Sequence, residues 1–345
     1  MEVRSWVLEI NFNSMFTYTT ATNMLLSLSK VPAADTTNTA LLQSLWNDSR
    51  RTVASIRGGN WPWREFEKTV DTVADQDYVY IPNDMEKVTG VRVVVGSGTS
   101  ATIYLPRLVY DAQKWQAILA MRLGSNEYPY FVYQQGQKLK FQPIPSTTGT
   151  DVTLIGRRAL RDLSIADYST GSIVSVANGG TAIVGTGTTW TASMAGRYIR
   201  ITESDTANKG DGFWYEIASV ESATALTLVK PYQGTAIAAG TAAYVIGQIT
   251  YEPEAYQMAP IYRALALFFQ TNDPLHNGTQ ANQWWRLYDG GQEAGLSDLP
   301  GGLIGQMLAE AGETFDGSYI GPGDRDLNGY SGVPYYFPFQ DASGF

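Results

Sequence analysis

The 345-residue chain has no cysteine and a single histidine, His276. Without thiols there can be no disulfide framework, thiolate zinc site, iron–sulfur ligation or cysteine nucleophile, and one imidazole cannot build a multi-histidine metal centre. Charge is scarce too: 17% of residues are Asp, Glu, Lys or Arg, against about 25% in ordinary soluble domains. Of these, 33 are acidic and 24 basic, a net charge of −9. Such a balance argues against tight binding of nucleic acid as a ligand, because phosphate recognition rests on Lys and Arg displacing counterions. It does not forbid DNA passing nearby. Long apolar runs are also missing. Nothing reaches the ~18 apolar residues of a membrane span, and residues 1–14 carry Glu2, Arg4 and Glu9 where a secretory signal needs an unbroken apolar stretch. The expectation is a soluble protein assembled without a membrane step.

Glycine and aromatic residues are plentiful, with 34 Gly and 12% Phe, Trp and Tyr. A surface poor in charge and rich in aromatics suits a chain that hides much of itself in stable contacts, since interface cores lose charge and gain aromatic residues. A β-rich globular protein with many tight turns gives the same numbers. The length suggests about two domains with cores of ordinary size.

Residues 15–168 mix helix and strand. From Asp35 to Arg57 the residues Leu42, Leu45, Trp46, Val53 and Ile56 fall on one helical face, with Asp35 or Thr36 as N-cap and Gly58–Gly59 as the stop. After Trp61-Pro62-Trp63, strands are expected at 67–73, 77–82, 88–95 and 100–105. A helix from Asp111 to Arg122 places Trp115, Ile118 and Leu119 on one side. A hairpin over Tyr128–Pro145 then turns at Gln135-Gly136, and a strand over Asp151–Arg158 completes the sheet.

Over 169–249 the composition shifts to Gly, Thr, Ala and Ser without helical periodicity, which predicts a separate small β unit with strands near 172–176, 181–184, 197–202, 213–220, 225–229 and 243–249. Helical spacing returns over 250–311: Pro260 suits the first helical position before Ile261, Ala264, Leu265 and Phe268, then Ala281, Trp284, Trp285 and Tyr288 share a face, and a third helix runs from Gly302 to Ala311. The expected fold is α+β: a helical bundle with an antiparallel sheet, interrupted by an inserted all-β barrel or sandwich whose ends lie close together. Residues 1–14 form an N-terminal extension. Residues 312–345 are punctuated by Gly and Pro and carry Tyr319, Tyr330, Tyr335, Tyr336, Phe337, Phe339 and Phe345. Disordered tails are normally poor in aromatics, so this reads as an extended arm that orders on a neighbour. Fully extended, it would span about 110 Å.

Motifs for chemistry are weak. Gly96-Ser97-Gly98-Thr99-Ser100-Ala101 matches a dinucleotide fingerprint by letters, but the following Thr102-Ile103-Tyr104-Leu105 reads as a strand, so a hairpin turn is expected and no cofactor. The Gly185-Thr186-Gly187 cluster fails in the same way. Asp324, Asp326 and Asn328 begin a calcium-loop pattern, yet position twelve is Tyr335 where a bidentate Glu belongs. An Asp/Asn/Gly-rich turn explains the same letters. His276 lies between Pro274 and Gly278 with no G-x-S-x-G elbow in the chain, so no catalytic residue is assigned. Arg50, Arg51, Arg57, Arg64, Arg157, Arg158 and Arg161 form basic clusters, read as partners of carboxylates on an adjacent surface in preference to phosphate contacts.

Five ordered stretches resemble the head-to-tail adaptor, or connector, proteins of tailed bacteriophages. They are Phe16-Thr17-Tyr18-Thr19 to Leu28; Arg50 to Arg57 followed by Trp61-Pro62-Trp63; Tyr78-Val79-Tyr80-Ile81-Pro82; Tyr128-Pro129-Tyr130-Phe131 to Phe141-Gln142-Pro143-Ile144-Pro145; and Tyr262-Arg263-Ala264-Leu265-Ala266. The stretches Val184 to Trp190 and Gly212 to Ile217 with Leu226-Thr227-Leu228 look like a β module recurrent in phage virion proteins. The resemblance implies a non-enzymatic virion protein forming a homo-oligomeric ring, commonly of twelve copies. The ring would dock on the portal protein, lead to a tail nozzle or tail-tube protein and surround DNA that passes without sequence-specific binding. It also implies C-terminal arms reaching into the portal, a part that only residues 312–345 can fill here. A tail-nozzle component, and a tail receptor-binding or carbohydrate-depolymerising protein, are the alternatives.

Overall fold

A computed structural model describes residues 15–56, 61–96, 101–202, 210–238, 241–271, 277–290 and 302–314. Helix α1 (Tyr18–Ser29) starts at Thr17, whose hydroxyl accepts the Thr20 N–H, and ends at Lys30 in the left-handed region. Helix α2 (Thr36–Ser55) is capped by Asp35, which accepts the Asn38 N–H at 3.0 Å. The expected stop at Gly58–Gly59 lies outside the described residues, and the helix already ends at Ile56, where ψ turns to 146°. These helices pack with α4 (Met258–Thr271) and α5 (Gly278–Asp289) around Leu25, Leu42, Trp46, Ile261, Leu265 and Phe268. Burying each such side chain contributes about 1.5–3 kcal/mol. Pro260 is the third residue of α4 instead of its first. The helix begins two residues early because the first four amides of a helix need no intrahelical acceptor, so proline is tolerated anywhere in that turn.

The strands of the first half form two sheets where one was expected. They are β1 (Glu65–Asp71), β2 (Tyr78–Tyr80), β3 (Met85–Val95), β4 (Thr102–Tyr104), β5 (Arg107–Val109), β6 (Phe131–Gln135), β7 (Lys138–Gln142) and β8 (Asp151–Arg158). One sheet has the order β1-β8-β3-β4 and the other β2-β7-β6-β5. Their inner faces share Val79, Val91, Val93, Val132, Leu139, Phe141, Val152 and Leu154, as stacked sheets with alternating side chains must. A single layer would have left one of those apolar faces wet. Strand β5 was not foreseen, and its pairing with β6 is parallel. Parallel neighbours need a crossover, which helix α3 (Ala112–Ala120), capped by Asp111, supplies. The hairpin β6–β7 turns at Gly136, with φ at 59°. Residues 97–100 lie outside the described residues, but Val95 pairs with Thr102 in an antiparallel ladder, as a hairpin requires and a cofactor loop opening a helix does not.

Six strands follow: β9 (Ser172–Val176), β10 (Ala182–Thr186), β11 (Tyr198–Ile201), β12 (Trp214–Ser222), β13 (Ala225–Leu228) and β14 (Tyr244–Gly247), in sheet order β14-β11-β12-β13-β10-β9. Bridges from Ile173 to Ala242 and from Val176 to Ile237 join the last strand to the segment leading into β14, so the sheet curls on itself. Its interior, including Ile183, Trp190, Ile199, Ile217, Tyr232, Tyr244 and Ile246, is drawn wholly from this part of the chain. The Gly185-Thr186-Gly187 cluster has a packing reason: a Cβ on Gly185 would sit 2.8 Å from the Trp190 ring. That indole in turn donates to the Tyr244 hydroxyl at 2.9 Å. Helix α6 (Gly302–Thr314), a turn longer than expected, brings Ile304 and Met307 to a further cluster with Val53, Trp61, Tyr256 and Tyr288.

Candidate functional site

The arginines that cluster in sequence meet at one corner, where the C-terminal turns of α2 face the end of β8. Arg50 is buried and paired through Nε with Glu252 at 3.2 Å, while its Nη1 donates to the Arg161 carbonyl at 3.3 Å. Arg51 pairs with Asp162 at the surface. Arg64, 5% exposed, donates to the carbonyls of Ala54 and Arg158 and pairs with Glu86. Burial pulls the Arg64 guanidinium below its usual range, and Glu86 opposes that pull. Arg158 lies between the rings of Phe66 and Tyr251, 4.5 Å from each centroid. Arg57 lies outside the described residues. An open cleft of ≈ 550 Å³ remains, walled by Arg51, Ser55, Arg64, Glu86 and Arg157. Carboxylates of this same chain thus meet three of these cations, Arg50, Arg51 and Arg64. Neither Glu252, 202 residues from Arg50, nor Asp162 carried any local signal as a partner.

A second set of polar contacts ties the curled β sheet to the helices. Asn47 exchanges two hydrogen bonds of 3.0 Å with the backbone of Leu163. The Gln248 side chain accepts from the amides of Ser164 and Ile165, and its carbonyl accepts from Tyr18. Gln257 accepts the Phe16 N–H at 2.8 Å. Asp167 accepts from the Thr17 hydroxyl at 2.6 Å, and the Asp167 N–H donates to Thr19. Burial raises the Asp167 carboxyl above the ordinary range, with Thr17 and Thr19 pulling the other way. The folded state therefore holds that proton more tightly than the unfolded chain. The contribution is most favourable below the unfolded pKa and declines as pH rises through the folded one. Urea unfolding of the wild type and of Asp167→Asn should show the wild type losing ground to the variant as pH rises through the carboxylate range. Parallel pH profiles would contradict this origin.

Among the described residues, five exposed large apolar side chains fall between positions 103 and 121. Ile103 in β4, Leu105 just after it, Tyr110 after β5, and Leu119 and Met121 at the end of α3 are all exposed, Leu105 to 73%. The α3 face was expected to include Leu119. The structure buries Trp115 and Ile118 against Val109 and leaves Leu119 and Met121 outside. Exposed apolar residues that form a contiguous patch mark contact sites, whereas single ones are ordinary. Beside them Tyr104 and Tyr128 stack with centroids 3.5 Å apart, and burial and the Tyr104 hydroxyl push the Tyr128 phenol up to about 12.

Several residues singled out from sequence lie outside the described residues: His276, the Asp324, Asp326 and Asn328 set, and the arm residues Tyr319, Tyr330, Tyr335, Tyr336, Phe337, Phe339 and Phe345. Among the described residues no group of three or more His, Asp or Glu side chains is placed to hold a metal ion. No described helix is long and apolar enough to cross a membrane.

Residues 17–179 match the family model described as SU10 adaptor protein. Over this stretch the chain is similar to a phage adaptor. The match begins at Thr17, the cap of α1, takes in α2 and both four-stranded sheets, and ends just after β9. The resemblance to phage adaptors is borne out over this region, which holds four of the five stretches that carry it; Tyr262 to Ala266 lies beyond the match. The match supports a phage adaptor protein, and an adaptor implies a place in the virion and association with other virion proteins. No curated protein matches the chain.

Proposed function

We propose that the chain is a non-enzymatic head-to-tail adaptor, twelve copies of which form a ring that docks on the portal, links it to the tail and surrounds the DNA exit channel. The observation that carries this reading is the adaptor-family match over residues 17–179. In this reading α1, α2, α4 and α5 form the helical bundle of the core, residues 169–249 are an inserted β domain, and residues 312–345, the first three of which still belong to α6, are the arm. The separate interior of the β unit and the pairing of Tyr168 with Ile246 at its ends support that division. The exposed stretch Ile103–Met121 supplies a subunit contact of the kind an obligate ring needs, on the order of 2,000 Å² or more per interface. The tethered aromatic arm adds affinity once the ring is docked. Electron microscopy of the purified protein, alone and mixed with portal, should show twelvefold rings that bind the portal. A chain lacking 312–345 should still form rings but lose most portal binding. A compact trimer would favour the receptor-binding alternative, and undiminished portal binding by the shortened chain would remove the arm's role.

A further inference from the structure

Strand β1 closes one side of its sheet, and along its outer edge no described backbone group pairs with it. Its inward residues Phe66 and Val70 are only partly covered at the margin of the sandwich core. An open edge with half-covered apolar residues is a template for another strand.

The chain carries such a strand. In Trp6-Val7-Leu8-Glu9-Ile10-Asn11-Phe12-Asn13, every even position is a large apolar residue, while Glu9, Asn11 and Asn13 are polar. Alternation over the six residues Leu8 to Asn13, with Val7 the one apolar residue off the pattern, has the period of a strand with one buried face. The point where this segment joins the fold is fixed. Phe16 is held by the Thr250 amide and by Gln257, and the next residue, Tyr251, stacks on Arg158, which covers Phe66 of β1. Residues leaving Met15 toward the N-terminus therefore start beside the Glu65 end of β1.

We propose that residues 6–13 of this same chain add to β1 as a fifth, antiparallel strand of that sheet. Antiparallel direction follows from the tether, because Asn13 must lie near Glu65 and the segment's start near Asp71. A register that pairs Phe12 with Phe66 also pairs Ile10 with Lys68 and Leu8 with Val70, all on the inner face. It sets Glu9 opposite Thr69 and Asn11 opposite Glu67 on the outer face. A slip by one residue would turn Leu8, Ile10 and Phe12 to solvent. Eight residues span about 26 Å, close to the length of seven-residue β1. A second copy could offer the same segment, but the exit point beside β1 favours the chain's own.

The absence of native cysteine makes the test direct. In the full-length chain, Asn11→Cys combined with Glu67→Cys should form an intramolecular disulfide under mild oxidation, visible as a mobility shift of the monomer on a denaturing gel. The mismatched pair Asn11→Cys with Thr153→Cys should not. Hydrogen exchange of β1 amides in otherwise unmodified protein should slow by about tenfold or more relative to a chain lacking residues 1–13. Crosslinked dimers would overturn the proposal in favour of strand exchange between copies. Absence of any crosslink together with unchanged β1 exchange would overturn it altogether.

Discussion

Replacing Glu252 with alanine should cost about 3–5 kcal/mol of folding stability, because it leaves the Arg50 charge buried without its partner. Arg50 and Glu252 are 2% and 1% exposed, and they join α2 to the segment that runs from the curled sheet into α4. Each also has one buried atom, Arg50 Nη2 and Glu252 Oε2, without a hydrogen-bond partner. The ion pair is therefore a poorly compensated one whose removal as a unit should be tolerated far better than the loss of either half. Arg50 retains its stack over Trp46 at 5.4 Å, but a ring face contributes only about 0.5–2 kcal/mol and cannot replace a carboxylate. The double variant Arg50→Met/Glu252→Leu should recover most of the loss. Chemical denaturation of the two single variants and the double gives the coupling directly. Single-variant losses under about 1 kcal/mol would mean that water reaches the pair.

Gly156→Ala is the second large effect expected. A Cβ there would meet the Lys87 carbonyl oxygen at 2.4 Å and Met85 Sδ at 2.7 Å. The methionine can move, but the carbonyl belongs to β3, which is bulged at this point to keep register with β8. A loss of about 3 kcal/mol is expected, at the upper end of overpacking costs. Gly90→Ala is the control from the same pair of strands. Its Cβ would meet only Ile155 atoms at 3.6 Å, an ordinary contact, so the change should be neutral or slightly favourable through the lower entropy of the unfolded chain. Equal losses at the two positions would contradict an origin in the close approach of β3.

Helix faces and turn residues were readable wherever local chemistry decides them. Asp35 and Asp111 cap where an Asp before an apolar period should, and the small β unit's six strands fall within a few residues of their expected places. Pairing was not readable. Whether β7 joins β8 or faces it from a second sheet depends on partners far away in the chain, and alternation is the same in both cases. Strand β5, three residues long, has no period to detect. The arginines were visible as a group, but not that Arg50 would be sealed in while Arg51 stayed wet, since that difference lies in which side of α2 meets Glu252. The exposed Leu119 and Met121 show the same limit, for helical spacing gives a face without saying where the packing stops.

The segments entering and leaving the curled sheet meet as a two-stranded stem, with Tyr168 and Ile246 exchanging both backbone hydrogen bonds. Residues opposed in this way stand about 5.5 Å apart. Everything between them can therefore be excised and the cut joined by a couple of residues without asking the helices to move. For the same reason, a load applied to the curled sheet would reach the helices through this stem and its side-chain anchors, Asn47, Asp167 and Gln248, and the strands of the sheet would not need to deform.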